Sequence, residues 1–238
     1  MSISPRRCGR AIKRLGRLLT GQDVLYKYDI RLKKATLGTV YGGWTIAPEY
    51  VDSGREMYSF GIGTDISFDQ EIIRLFGLHV HGFDPSPHVI SWIAMQKLPS
   101  AFTFHPYGLA ELDGALPFFS PKKSGGMYSM QSQHSFVSDV QEQLPVRSLE
   151  SIIESLSTPQ IEILKIDIEG AEYPLLPSII HCQVPIKQLL IEFHHRIGAA
   201  SLQTTVNSVN ELRKSGFFLF HVSETSSEFS FIHRDFIR

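Results

Sequence analysis

The chain has 238 residues, 42% of them apolar and 20% charged, with a formal net charge of −1. That length supports one sizeable core or two small ones, and the composition is that of an ordinary globular protein. The near-zero charge excludes a global field drawing the chain to nucleic acid, and two distant cysteines, Cys8 and Cys182, exclude a disulfide framework or zinc spacing, so a reducing, cytoplasmic setting is expected.

The first nineteen residues carry six basic side chains, Arg6, Arg7, Arg10, Lys13, Arg14 and Arg17, around Ile12, Leu15, Leu18 and Leu19. They lack the apolar stretch of a signal peptide, and no segment approaches the ~20 apolar residues that span a bilayer. The spacing fits a basic amphipathic helix, either packed on its own domain or making a weak membrane-surface or partner contact. Residues 1–40 are therefore expected as a basic helical segment ahead of one domain, 41–238.

From Met57 onward short apolar runs alternate with helical patterns. A strand over 57–60 ends at Gly61-Ile62-Gly63. Ser67 with Gln70 reads as a capping box for a helix that closes at Gly77. A strand over 78–83 stops at Asp84, and Pro87 opens a second helix carrying Ile90, Trp92, Ile93 and Met95. A third strand covers 101–105, and a short one over 116–119 follows the turn at Glu111–Gly114. The polar stretch 120–143, with Gly125, Gly126, Met127, Tyr128, Met130 and Phe136 interleaved, is expected to be a mobile lid. Ser148 caps a helix over 149–156. Strand 161–166 ends at Asp167, a short helix spans 170–180, strand 188–193 follows, and a helix over 202–214 closes at Gly216. Two final runs, 217–222 and 229–233, leave no room for a helix between them and must pair antiparallel. The fold class is therefore α/β, a mostly parallel Rossmann-like sheet with an antiparallel C-terminal hairpin.

In such a sheet ligands sit beyond the carboxyl ends of the strands. Gly61 and Gly63 form a turn suited to close approach by a nucleotide, and the third glycine of a dinucleotide fingerprint is replaced by Ile66, which favours a ligand without phosphates. Asp84 lies 21 residues after Gly63, where an acid accepts ribose hydroxyls or caps the next helix. In Leu164–Glu172, Lys165, Asp167 and Glu169 alternate and would share one side of an extended strand, either functionally or around a structural Lys165 ion pair. At the adjacent strand end, one of His194 and His195 is expected to face the site. Asp167, Glu169 and a histidine have no recognised metal spacing, so no metal is expected.

The run Tyr58–Gly63, the Phe83-Asp84-Pro85 step, Gly108-Leu109-Ala110 followed by Asp113-Gly114, Leu164–Glu172 and Leu190–His194 together resemble the FkbM family of methyltransferases over about residues 41–195. The resemblance implies a class I methyltransferase fold of seven strands, S-adenosyl-L-methionine as cofactor, and methylation, usually at oxygen, of a small-molecule or glycan acceptor. It would place Gly61 and Gly63 against the methionine part, Asp84 and Pro85 at the ribose, Gly108 and Leu109 at the adenine, and Asp167 near the reacting centre. An acid expected where Ser59-Phe60 stand is missing, and Asp65 could substitute toward the amino group. Asp167, Glu169 and His194 are the catalytic candidates, with His194 or Asp167 as base. The alternatives are a nicotinamide-dependent oxidoreductase, for which the third glycine and a tyrosine–lysine pair are missing, and an inactive binding module of the same fold.

Overall fold

The computed structural model describes residues 14, 16–122, 128–130, 137–196 and 200–237. Twelve strands are described: β1 Ala35–Leu37, β2 Trp44–Ile46, β3 Glu56–Phe60, β4 His79–Phe83, β5 Phe102–His105, β6 Gly108–Leu109, β7 Gly114–Pro121, β8 Val137–Arg147, β9 Ile161–Ile166, β10 Ile186–Glu192, β11 Phe217–Val222 and β12 Glu228–His233. The helices are α1 Ser67–Phe76, α2 Pro87–Ile93, α3 Leu149–Leu156, α4 Glu172–Ile180 and α5 Leu202–Lys214.

Seven strands form the main sheet in the order β11-β12-β10-β9-β3-β4-β5. β5, β4, β3, β9 and β10 run parallel, and β12 is antiparallel to both its neighbours. The expected mostly parallel sheet with an antiparallel C-terminal hairpin is thus present. The chain travels outward from β3 to β5 and then returns to the other side of β3 as β9. The switch point, where a crevice opens beyond the strand ends, therefore lies between β3 and β9.

Both faces of the sheet are covered, which explains why its central strands are almost continuously apolar. Tyr58, Phe60, Leu164 and Ile166 point into a core completed by α3, α4 and α5. Met57, Val80 and Ile163 point the other way, into a core with Phe68 and Ile72 of α1, Val89 and Ile93 of α2, and Trp44 and Ile46 of β2. Two acids and a lysine interrupt this pattern low in the sheet. Lys187 Nζ reaches Glu162 Oε1 at 2.8 Å and Asp52 Oδ2 at 2.7 Å, so the fully buried Glu162 is paired.

Several local expectations change. Ser67 does not cap α1: it is the first helical residue, after Ile66. Asp65 Oδ1 instead accepts from the Ser67 amide at 2.9 Å, and the Ser67 hydroxyl accepts from the Thr39 amide at 2.8 Å, because the loop 38–43 folds over the helix start. Met95 lies beyond the end of α2 and is exposed. The expected lid is, where described, an antiparallel ribbon of β7 and β8, with β6 parallel to β8, forming a separate three-stranded sheet. β8 reads as polar because only Val137, Leu144 and Val146 turn inward. Gly125, Gly126, Met127 and Phe136 lie outside the described residues.

Within 1–40, residues 14 and 16–19 are helical, whereas 35–37 form β1, paired antiparallel with β2. Arg17 docks on the domain, donating to the Thr225 carbonyl at 3.2 Å and facing Asp23 at 3.6 Å. Arg6, Arg7, Arg10, Ile12, Lys13 and Leu15 lie outside the described residues. Among those described, no helix is long and apolar enough to cross a membrane.

Candidate active site

Beyond the carboxyl ends of β3, β4 and β9 lies a cavity of about 200 Å³. One water needs roughly 10–15 Å³ on that measure, so the space suits an organic ligand rather than a structural water. Gly61, Gly63, Asp65, Asp84, Pro85, Gly108, Leu109, Asp167 and Glu169 all line it. Segments separated by a hundred residues are thus brought to one wall by the parallel topology. His194 stands behind the acids rather than on the lining.

The two glycines serve different needs. Gly61 has φ +72, and its amide donates to the Phe83 carbonyl at 2.9 Å; a Cβ there would meet the Asp167 carbonyl oxygen at 1.6 Å. It is required by the neighbouring strand end, a different reason from ligand approach. Gly63, at φ +54, has nothing within 4 Å of a Cβ and faces open cavity. Its amide donates to Asp84 Oδ2 at 3.1 Å, while Asp84 Oδ1 accepts from the Ser86 amide at 2.9 Å. Asp84 therefore ties the end of β4 to the glycine turn. Burial pushes its carboxyl above the usual range, against those hydrogen bonds. Gly108 is pressed on Pro85, whose Cγ would lie 3.2 Å from a Cβ.

Asp65, expected to reach the ligand amino group, is engaged elsewhere. It accepts from Thr39 Oγ1 and from the Ser67 amide. Sequence reasoning missed Asp69, in the first turn of α1. Asp69 lines the same cavity, is 2% exposed, and has Oδ1 without a hydrogen-bond partner. Burial raises its carboxyl pKa, and Lys165 opposes that rise. Its position looked like an ordinary first-turn acid, and only the buried setting distinguishes it. Lys165 makes no ion pair within 4 Å among the described residues; its Nζ donates to the Phe60 and Gly61 carbonyls at 3.3 and 3.0 Å and lies 5.4 Å from the Trp44 ring centre. Tyr41, Gly42 and Trp44 line the cavity on that side, and Phe118, Tyr128 and Met130 of the ribbon region line it on another.

The acidic segment does not stay extended. β9 ends at Ile166, and Glu169 adopts φ +55, a left-handed conformation costly for a non-glycine residue. The turn is held by Glu172, which is fully buried; its Oε1 accepts from the Ile168 and Gly170 amides at 3.2 and 3.0 Å and from His194 Nδ1 at 2.8 Å. Nε2 of His194 lies 3.5 Å from Glu169 Oε2 and 3.9 Å from Asp167 Oδ1. Of the two histidines, His194 faces the acids, while His195 turns toward Arg196 and the Asp23 side.

This crowding sets the protonation states. Burial opposes a charged His194, but the hydrogen bond and charge of Glu172, with Glu192 and Asp167, outweigh it and raise the pKa to about 10. Burial raises Glu169 to about 7, against the His194 charge and with the neighbouring Asp167 and Glu172. The raised pKa favours the charged imidazole, which makes Asp167 and Glu169 better placed than His194 to accept a proton. One carboxylate oxygen each from Asp167 and Glu192 and one nitrogen of His194 also lie within 4.8 Å of one another.

Residues 41–223 match the methyltransferase FkbM domain. The chain belongs to the FkbM methyltransferase family. Among solved structures, the chain resembles methyltransferase FkbM from Methylobacillus flagellatus KT at 16% identity and a TM-score of 0.49, over 76% of this chain and 44% of that one. It thus spans less than half the length of that relative. The antibiotic-resistance methyltransferase Kmr is similar at 11% identity and a TM-score of 0.39, over 84% and 98% of the two chains. A methyltransferase from Pyrococcus furiosus gives 11% identity and a TM-score of 0.38, over 96% and 98%. No curated protein matches the sequence.

Proposed function

We propose that this FkbM-family chain is an S-adenosyl-L-methionine-dependent methyltransferase that methylates a hydroxyl oxygen of a small-molecule or glycan acceptor. The observation that carries the reading is the shared cavity. The open Gly63 turn, the buried Asp84 and Asp69, whose Oδ1 lacks a hydrogen-bond partner, line one volume together with Gly108 and Leu109. Those groups fit the cofactor's parts: carboxylates for an amino group and ribose hydroxyls, apolar walls for a purine, and no second glycine-helix contact demanded by a pyrophosphate.

On this reading Asp69 holds the amino group in place of Asp65, Asp84 holds the ribose through its remaining acceptor capacity, and Gly108 and Leu109 flank the adenine. When bound, the cofactor supplies an electrophilic methyl group on a sulfonium. The chain's own work is alignment and exclusion of water. Asp167 and Glu169, at the inner wall, face the acceptor side, and a carboxylate there can take the hydroxyl proton in a step worth roughly 10²–10⁴-fold. The hydrogen bond between His194 and Glu172 holds that acidic turn in shape.

Titration calorimetry with S-adenosyl-L-methionine and with NAD tests the reading. Saturable binding of the first and none of the second is expected, with methyl transfer from labelled cofactor to a hydroxylated acceptor library. Binding of NAD, or absence of S-adenosyl-L-methionine binding to folded protein, overturns it.

A further inference from the structure

We propose that Asp167, Glu192 and His194 form a divalent-cation site of the class occupied by Mn²⁺ or Mg²⁺, beside the cofactor cavity that Asp167 also lines. Glu192 and His194 are two residues apart at the end of β10, and Asp167 follows the end of the parallel neighbour β9. The strand register pairs Ile191 with Ile166, so Glu192 and Asp167 occupy the next step on adjoining strands. One ligand atom of each residue lies within 4.8 Å of the others. Neighbouring ligands about 2.1 Å from one ion stand roughly 3.0–3.4 Å apart, so the three side chains must close by up to about 1–2 Å to complete the set.

A second observation concerns the histidine. His194 is 7% exposed, and its Nδ1 is fixed at 2.8 Å by Glu172, itself fully buried and anchored by two backbone amides. A carboxylate on one ring nitrogen is how proteins orient a histidine that ligates metal through the other. Here the other nitrogen, Nε2, lies 3.9 Å from Asp167 Oδ1 and 3.5 Å from Glu169 Oε2, and it releases its proton when it ligates. The 3.9 Å gap to Asp167 is too long for a hydrogen bond and wider than the roughly 3 Å between neighbouring ligands of one ion, so the carboxylate must move inward on binding.

Two carboxylate oxygens and one imidazole nitrogen, without thiolate, select a hard or borderline divalent ion. Three protein ligands leave coordination positions open for water or an acceptor, and Asp167 and Glu192 are partly exposed. The site itself stands on this geometry alone. Its catalytic use rests on the methyl-transfer reading: two vicinal hydroxyls of an acceptor would chelate the ion and hold one oxygen beside the cavity.

The test is calorimetric titration of the chelator-treated full chain with MnCl₂, followed by electron paramagnetic resonance of free Mn²⁺. One equivalent should bind below about 1 mM, and Asp167→Asn and Glu192→Gln should each weaken binding about tenfold or more. The exposed Glu154→Gln should bind as the parent does. Circular dichroism melts identify any variant that fails to fold, and Asp167→Asn, at a part-exposed position, keeps the test decisive if Glu192→Gln does. No stoichiometric Mn²⁺ binding by the parent, or unchanged binding in folded Asp167→Asn, overturns the proposal. S-adenosyl-L-methionine is titrated separately: Mn²⁺ binding without it sustains the cation site and removes the methyl-transfer reading, whereas its binding without Mn²⁺ does the reverse.

Discussion

Replacing each cavity glycine by alanine should separate what the fold requires from what the ligand requires. In Gly61→Ala the new Cβ would sit 1.6 Å from the Asp167 carbonyl oxygen, where real contacts stay above 3.0 Å, so the ends of β3 and β9 must part by more than an ångström. The left-handed φ of +72 adds about 1–2 kcal/mol for alanine. The hydrogen bonds from the Gly61 amide to the Phe83 carbonyl and from the Asp167 amide to the Phe60 carbonyl, at 2.9 and 3.2 Å, would stretch or break at about 1 kcal/mol each. The total is about 3–4 kcal/mol, and at about 2–4 °C per kcal/mol for a domain this size the melting temperature should fall by roughly 6–16 °C. Gly63→Ala meets nothing within 4 Å and carries only the φ cost, about 1 kcal/mol or a few degrees. It should nevertheless lose S-adenosyl-L-methionine affinity, since its Cβ enters the cavity. Thermal melts by circular dichroism and cofactor titration on both variants read the two effects. A Gly61→Ala protein melting within two or three degrees of the parent, or a Gly63→Ala protein with parental affinity, would refute the assignment of one glycine to the chain and the other to the ligand.

Acid should destabilise the protein through histidines kept neutral by burial. His105 and His221 are each depressed to about 4, chiefly by burial, with positive charge from His81 and Arg147 adding at the first and Lys34 at the second. The unfolded chain takes up protons near 6.5 while the folded one does not, so stability is lost as pH falls from about 6.5 toward 4. The buried Asp69 and Asp84, with raised carboxyls, act in the opposite sense at the lower end. Urea midpoints at pH 7 and 5 should therefore fall less in His221→Leu than in the parent; an equal fall would exclude the histidine. Lys187→Met should cost about 3–5 kcal/mol by stranding Glu162, and adding Glu162→Gln should restore part of it in denaturant titrations. Ser148→Ala should lose about 1 kcal/mol, because the Ser148 hydroxyl accepts from the Ser151 amide at the start of α3, and a melt within a degree of the parent would deny that cap. Asp69→Asn should weaken S-adenosyl-L-methionine binding about tenfold or more, the loss of a charge-assisted bond, and parental affinity would remove Asp69 from the site.

Local periodicity made the parallel core legible. The apolar run of β9, the Ser148 cap, and the pattern of Val209 and Leu212 in α5 each state their structure within a dozen residues. The β1–β2 hairpin was not legible because three residues per strand carry no period, and β8 was hidden because its outer face is polar. The cavity list could be read because every parallel strand delivers its C-terminal turn to one edge. Its chemistry could not. Asp65 and Asp69 are both acids near the start of α1, and only the loop 38–43, folding over from elsewhere in sequence, occupies the first and leaves the second facing the cavity. The charge of His194 likewise depends on Glu172, 22 residues earlier, reaching across from the adjoining turn.

That turn and the glycine bend are mechanically one object. Gly61 touches the Asp167 carbonyl, Asp167 donates its amide to Phe60, and Lys165 donates to both the Phe60 and Gly61 carbonyls. A shift of the bend therefore carries Asp167 with it, and through the Glu172–His194 bond the end of β10 as well. Positioning to a fraction of an ångström is what in-line transfer between two bound molecules needs. Here it comes from backbone contacts across the switch point, joined by the Lys165 side chain. It follows that Lys165→Met, at a lining position to which the reading assigns no cofactor contact, should lower turnover more than cofactor affinity. Equal loss in both would place Lys165 in the binding wall instead.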